Sequence, residues 1–294
     1  MLTTLIVAVR IVANPVANVF QKRLTQRAAH PLIVIAGTYA LLTLAVLPFA
    51  VGTGWKALGP AFWGNMWTCA ALAVAGNALL VAALRSMDLS VLGPINAYKA
   101  VVSLALGVVL LGEVPTAAGA LGVLLTVAGS VLVVDRVPGH DRGGAFGRFL
   151  REPGVQLRFA ALLCSATEAV FLKRAILHSS PETAFLWWVL LGLPLAALAA
   201  AAAIGRDVAS QLRQLPREWL TYGALALATG VMQLTTLLAF ERLQVGYALA
   251  LFQLSTVVSV ALGAAVFAEQ NIARRLLGSA VMMIGAVLIV WSAP

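Results

Sequence analysis

Two ionisable side chains stand where charge is costly. Glu168 lies inside the apolar run 160–172 (AALLCSATEAVFL) and Lys99 inside 95–106 (INAYKAVVSLAL). A charged group near the centre of a bilayer costs on the order of 3 kcal/mol on insertion scales, so it persists only with a partner, water or a task. A carboxylate there suits a substrate ammonium or a coupling proton. An amine suits a carboxylate or phosphate, or pairs with the acid in one state. The alternative is a static Glu168–Lys99 pair that joins two parts of the chain.

Uncharged polar residues extend the set. Asn14, Asn18 and Gln21 recur at spacings of four and three, on one helical face, and Lys22 and Arg23 follow directly. Pro15 frees a backbone carbonyl beside them. Such a stripe through an apolar helix must face water or other polar groups. Hydrogen bonding between packed helices is the competing reading, and Lys22 can also snorkel to the interface. Asn77, Asn96, Tyr98, Gln233 and Gln253 lie at similar depth in other apolar runs. The candidate substrate-binding residues are therefore Asn14, Asn18, Lys22, Asn77, Asn96, Tyr98, Lys99, Glu168, Gln233 and Gln253, with Glu168 also the proton-coupling group. Trp187 and Trp188 read as members of an interfacial aromatic belt.

The elements that must position these groups are membrane helices. Of the 294 residues 61% are hydrophobic and 11% charged, against about 25% charged in soluble domains. Apolar runs long enough to span, roughly 20 residues each, occur ten times, near 2–24, 32–53, 62–84, 91–111, 116–134, 156–177, 183–204, 218–240, 245–267 and 275–293. Gly93-Pro94 is expected to break or start the fourth helix at its membrane edge. The net charge of +9 is scattered over loops and helix ends, which argues for membrane anchoring and against a nucleic-acid partner. Cys69 and Cys164 both fall in apolar segments, so neither a disulfide nor a metal site is expected. There is no phosphate-binding loop, no zinc-binding helix signature and no nucleophile elbow. His30, His140 and His178 fall at helix ends or in loops. No cofactor and no enzymatic activity are expected.

The chain also repeats. Residues 101–134 align with 257–290 without a gap at an offset of 156, with 14 of 34 positions identical. Ser103/Ser259, Gly107/Gly263, Glu113/Glu269, Gly122/Gly278 and Gly129/Gly285 coincide. Residues 19–23 (VFQKR) echo 170–174 (VFLKR) at an offset of 151. The expected organisation is a five-helix repeat over 1–135, a polar linker over 136–155 and a second five-helix repeat over 156–294. An odd-numbered unit repeated in tandem enters the bilayer from opposite sides, so the repeats are inverted and a site falls between them at the midplane. The paired glycines lie two turns apart and read as close-packing residues. Glu113 and Glu269 precede the last helix of each half and read as caps.

Two five-helix halves, each ending in a Gly/Ala-Glu turn before a glycine-spaced helix, resemble the drug/metabolite transporter superfamily, in its ten-helix EamA-type branch. The resemblance implies an all-α inner-membrane permease whose first, third, fourth, sixth, eighth and ninth helices line a cavity. It implies export of amino acids or other metabolites, movement of nucleotide sugars or sugar phosphates, or expulsion of toxic cations. Glu168 and Lys99 on the sixth and fourth helices would suit an amphoteric, amino-acid-like solute moved by alternating access, driven by the substrate gradient or by protons through Glu168. The expected setting is a bacterial inner membrane, with a small-molecule substrate, lipid around the helices, and a monomer or homodimer. Lysine and arginine counts in the loops place both termini outside; the resemblance places them in the cytoplasm. Rival readings are a lipid-linked substrate carrier or flippase of the same fold, and a non-transporting membrane subunit or intramembrane enzyme.

Overall fold

The computed structural model describes residues 2–27, 29–52, 58–84, 89–111, 116–134, 151–213, 215–243, 245–267 and 272–291. Every regular element among them is helical. The order is α1 (Leu2–Gln26), α2 (Pro31–Gly52), α3 (Pro60–Ala83), α4 (Leu89–Leu111), α5 (Ala117–Val134), α6 (Pro153–Leu177), α7 (Pro181–Ile204), α8 (Val208–Leu212), α9 (Trp219–Arg242), α10 (Val245–Phe252), α11 (Ser255–Phe267) and α12 (Ile272–Trp291). Among the described residues, six segments are long and apolar enough to cross a membrane: Leu2–Gln26, Pro31–Ala50, Pro60–Ala83, Pro153–Leu177, Pro181–Leu212 and Leu215–Arg242. Shorter apolar stretches follow at Val101–Leu110 and Leu276–Gly285. Large apolar side chains such as Phe49, Leu198, Leu227 and Trp291 point outward, as a lipid-facing surface requires.

Local chemistry sets the helix ends. Pro60, Pro153 and Pro181 occupy first-turn positions, where a missing N–H costs nothing. Ser180 caps α7 by accepting from the Thr183 amide at 3.2 Å. Pro153 starts α6 inside the stretch expected to be linker; residues 135–150 lie outside the described residues, as do Glu113 and Glu269. Helix α4 runs through Gly93-Pro94 from Leu89, so the pair sits inside its early turns and does not break it. Proline is tolerated that close to a helix start because few backbone bonds are lost.

The ninth apolar run departs from expectation. It is two helices, α10 and α11, with a turn at Gln253-Leu254 between them. Non-helical backbone at membrane depth is tolerated only where protein or a wet cavity surrounds it.

The halves are held together mainly across, not within, themselves. Helix α1 packs on α9 and α3 on α6; α2 packs on α7, α4 on α11 and α5 on α12. Exchanging the halves maps this pattern onto itself. In lipid, apolar side chains gain little by meeting each other, so close van der Waals contact must hold such pairs. Glycine supplies it. A Cβ on Gly129 would lie 2.8 Å from the Gly278 carbonyl oxygen and 2.7 Å from Met282 Cγ. A Cβ on Gly76 would lie 3.1 Å from Cys164 Cβ across the α3–α6 contact.

Gly129→Ala is therefore expected to lower stability by about 1–3 kcal/mol, the usual cost of overpacking, seen as a lower thermal unfolding midpoint in detergent. Gly223→Ala, where an added Cβ meets nothing within 4 Å, is expected to be neutral or stabilising by a few tenths of a kcal/mol. Equal effects at the two sites would disprove the close-packing role.

Candidate functional site

A cavity of about 100 Å³ lies between the halves. Each water needs roughly 10–15 Å³ on that measure, so several fit. Helix α1 contributes Arg10, Asn14 and Asn18, spaced four apart on one face. Helix α6 contributes Arg158, Ala161, Ser165, Glu168 and Ala169. Helices α3 and α9 contribute Gly76, Asn77 and Leu80 against Met232, Gln233 and Thr236. Helix α4 adds Lys99, and α11 adds Ser255 and Ser259.

These positions correspond through the repeat. At an offset of 151, Arg10, Asn14 and Asn18 match Ala161, Ser165 and Ala169. At an offset of 156, Gly76, Asn77 and Leu80 match Met232, Gln233 and Thr236, and Lys99 matches Ser255. Both members of each pair face the cavity, which therefore lies on the axis relating the halves. The charges break that symmetry. Arg10 matches Ala161, Lys99 matches Ser255, Glu168 matches Ala17 and Arg158 matches Val7.

Glu168 is anchored by an indole: Trp188 Nε1 donates to its Oε1 at 3.2 Å. Trp188 is buried and packs against Tyr39 with ring centroids 4.9 Å apart and the planes tilted by 50°. Trp187 packs edge-on against Trp63 at 4.6 Å. The tryptophan pair is thus part of the bundle interior and not an interfacial belt, because the indole N–H of Trp188 finds a carboxylate there. Glu168 lies within electrostatic reach of Lys99 and Arg10. Among the described residues no ion pair joins it to either.

Six of the sequence candidates line the cavity: Asn14, Asn18, Asn77, Lys99, Glu168 and Gln233. Three others do not. Tyr98, one residue from Lys99, points about a quarter-turn away and packs at a tilt against Phe159, with ring centroids 5.7 Å apart. Gln253 is buried in the α10–α11 turn, where its Nε2 donates to the Leu249 carbonyl at 3.4 Å. Lys22 is buried but off the lining. Its repeat counterpart Lys173 donates to the carbonyl oxygens of Phe240 and Leu243 at the end of α9, a helix-capping task. The side chain of Asn96 lies outside the described residues.

Two arginines absent from the candidate list are central. Arg10 and Arg158 are both buried and line the cavity. The signal for Arg10 was present: it sits four residues before Asn14, on the same stripe. Arg158 has only its early place in an apolar helix to mark it. Among the described residues no group of three or more His, Cys, Asp or Glu side chains is gathered that could hold a metal. Cys69 is buried and Cys164 half-buried, both as free thiols.

A solved structure described only as the crystal structure of a protein superposes with a TM-score of 0.69 at 18% identity, covering 99% of this chain and 97% of its own. At that identity the likeness speaks for the fold alone. No curated protein is matched by sequence. The model of the EamA-like transporter family matches residues 4–135 and 152–291, one stretch for each half. With nearly its whole length matched and a charged cavity between the two halves, the chain belongs to the EamA-like transporter family of the drug/metabolite transporter superfamily.

Proposed function

We propose that this membrane transporter moves a small polar or amphoteric metabolite across a bacterial inner membrane by alternating access, with protons coupled through Glu168. Ten spans in two inverted repeats would result if α4, α5, the α10–α11 pair and α12 cross beside the six long segments. The observation that carries the reading is the cavity itself, with Glu168 and Lys99 both on its wall and not paired with one another. A static structural pair would spend both charges on each other. A carboxylate facing water beside cationic groups remains available to a proton or a substrate ammonium. The contacts between the halves are related by the repeat, α1 on α9 as α6 on α3, and a site between two such halves suits opening alternately to each side.

The test is flux in proteoliposomes at two pH values, with the solute chosen by a thermal-shift screen of metabolites. Wild-type flux is expected to change with pH, and Glu168→Gln to flatten that dependence while lowering flux tenfold or more. Full pH-dependent flux in Glu168→Gln would exclude the proton role. A second expectation concerns the neutral wall. Replacing both Asn77 and Gln233 by Leu is expected to abolish flux without lowering the unfolding midpoint, because it dries the lining and leaves the outer packing intact. Retained flux in that variant would count against the cavity as the route.

A further inference from the structure

We propose that one end of the cavity is an oxyanion subsite formed by Arg10 and the start of α11, and that the solute is a small organic acid whose carboxylate seats there. The solute's being transported rests on the function proposed above; the subsite does not.

Arg10 is held on two sides. Its Nε donates to Thr236 Oγ1 at 2.6 Å, and that hydroxyl in turn donates to the Met232 carbonyl at 2.8 Å. Its Cζ lies 4.7 Å from the centre of the Phe252 ring, the last residue of α10. The side chain is nine-tenths buried. Nη1 nevertheless has no hydrogen-bond partner among the described residues. An unmade bond on a buried charged donor is costly, and a guanidinium fork fixed at one edge is shaped to take a carboxylate at the other.

The second component is the broken helix. Ser255, the first residue of the 13-residue α11, lies on the cavity wall with Arg10. A helix start leaves amide donors without intrahelical acceptors and presents the positive end of the helix dipole. Phe252 ties the two components together, since it contacts Arg10 and ends the helix just before the turn.

Charge selects the solute. Among the described residues on the wall, Arg10 and Lys99 stand against Glu168, and Arg158, which has an interaction of its own, is left out of the balance. A neutral zwitterion would leave that cationic excess standing. A dicarboxylate, or an amino dicarboxylate with its ammonium toward Glu168, would offset it.

The experiment is thermal unfolding of the purified full chain against L-glutamate, succinate, inorganic phosphate and L-leucine, in wild type, Arg10→Gln and Thr236→Val. Comparing variants at matched salt cancels general salt effects. Glutamate or succinate is expected to raise the wild-type midpoint in a saturable way, with apparent affinity falling at least tenfold in Arg10→Gln and several-fold in Thr236→Val. Should Arg10→Gln fail to fold, Arg10→Lys keeps the charge without the fork and is expected to lose most of the binding. Equal stabilisation of wild type and the Arg10 variants, or none by any anion, overturns the subsite. Stronger Arg10-dependent protection by phosphate overturns the carboxylate assignment. Flux in proteoliposomes separates the two claims. Arg10-dependent binding of glutamate without flux leaves the subsite and removes the transport reading. Leucine flux unchanged in Arg10→Gln leaves transport and removes the subsite.

Discussion

The structure turns on charge kept inside an apolar bundle. Arg10, Lys99, Arg158 and Glu168 all lie within helices whose large exposed side chains are leucine and valine. Ionised groups in such surroundings need water, partners or both. Their common solution here is a shared space between the halves. The cavity is therefore a condition for the charges to exist, and the charges are the reason a cavity must be kept open.

Keeping it open constrains everything around it. The walls are stiffened by helix pairs that run between the halves, α1 on α9 and α3 on α6, the second with a close approach at Gly76. Farther out, α5 and α12 meet backbone to backbone at Gly129 and Gly278. Lipid offers no hydrophobic drive for these contacts, so their energy comes from contact distance. Bulk at a glycine acts on the site through the spacing of the pairs, without touching a lining residue.

Duplication supplies the frame and divergence supplies the chemistry. Matched positions of the two halves face the same cavity, yet each charged residue has an uncharged counterpart: Ala161 for Arg10, Ser255 for Lys99, Ala17 for Glu168. A symmetric pocket would carry each charge twice, and six cations against two carboxylates in so small a volume would repel. The ninth apolar run shows the same divergence in backbone. It breaks at Gln253-Leu254, while α4, its counterpart, runs unbroken through the matching residues Ala97 and Tyr98.

The amino-acid sequence by itself determined the helical class, the internal repeat and the place of Glu168, Lys99, Asn14, Asn18, Asn77 and Gln233 inside apolar helices. Those follow from periodicity, composition and the cost of charge in lipid, which are local quantities. Facing direction was decided only in the tertiary structure. Adjacent residues on a helix point about 100° apart, so Lys99 meets the cavity and Tyr98 meets Phe159. The same holds for Trp188, which the sequence places near a helix start and the packing carries inward to Glu168. Arg10 could be read as an anchor near a terminus until α9 and α10 brought Thr236 and Phe252 to it. What a side chain does in this bundle depends on which helix of the other half lies across from it, and no stretch of contiguous residues encodes that.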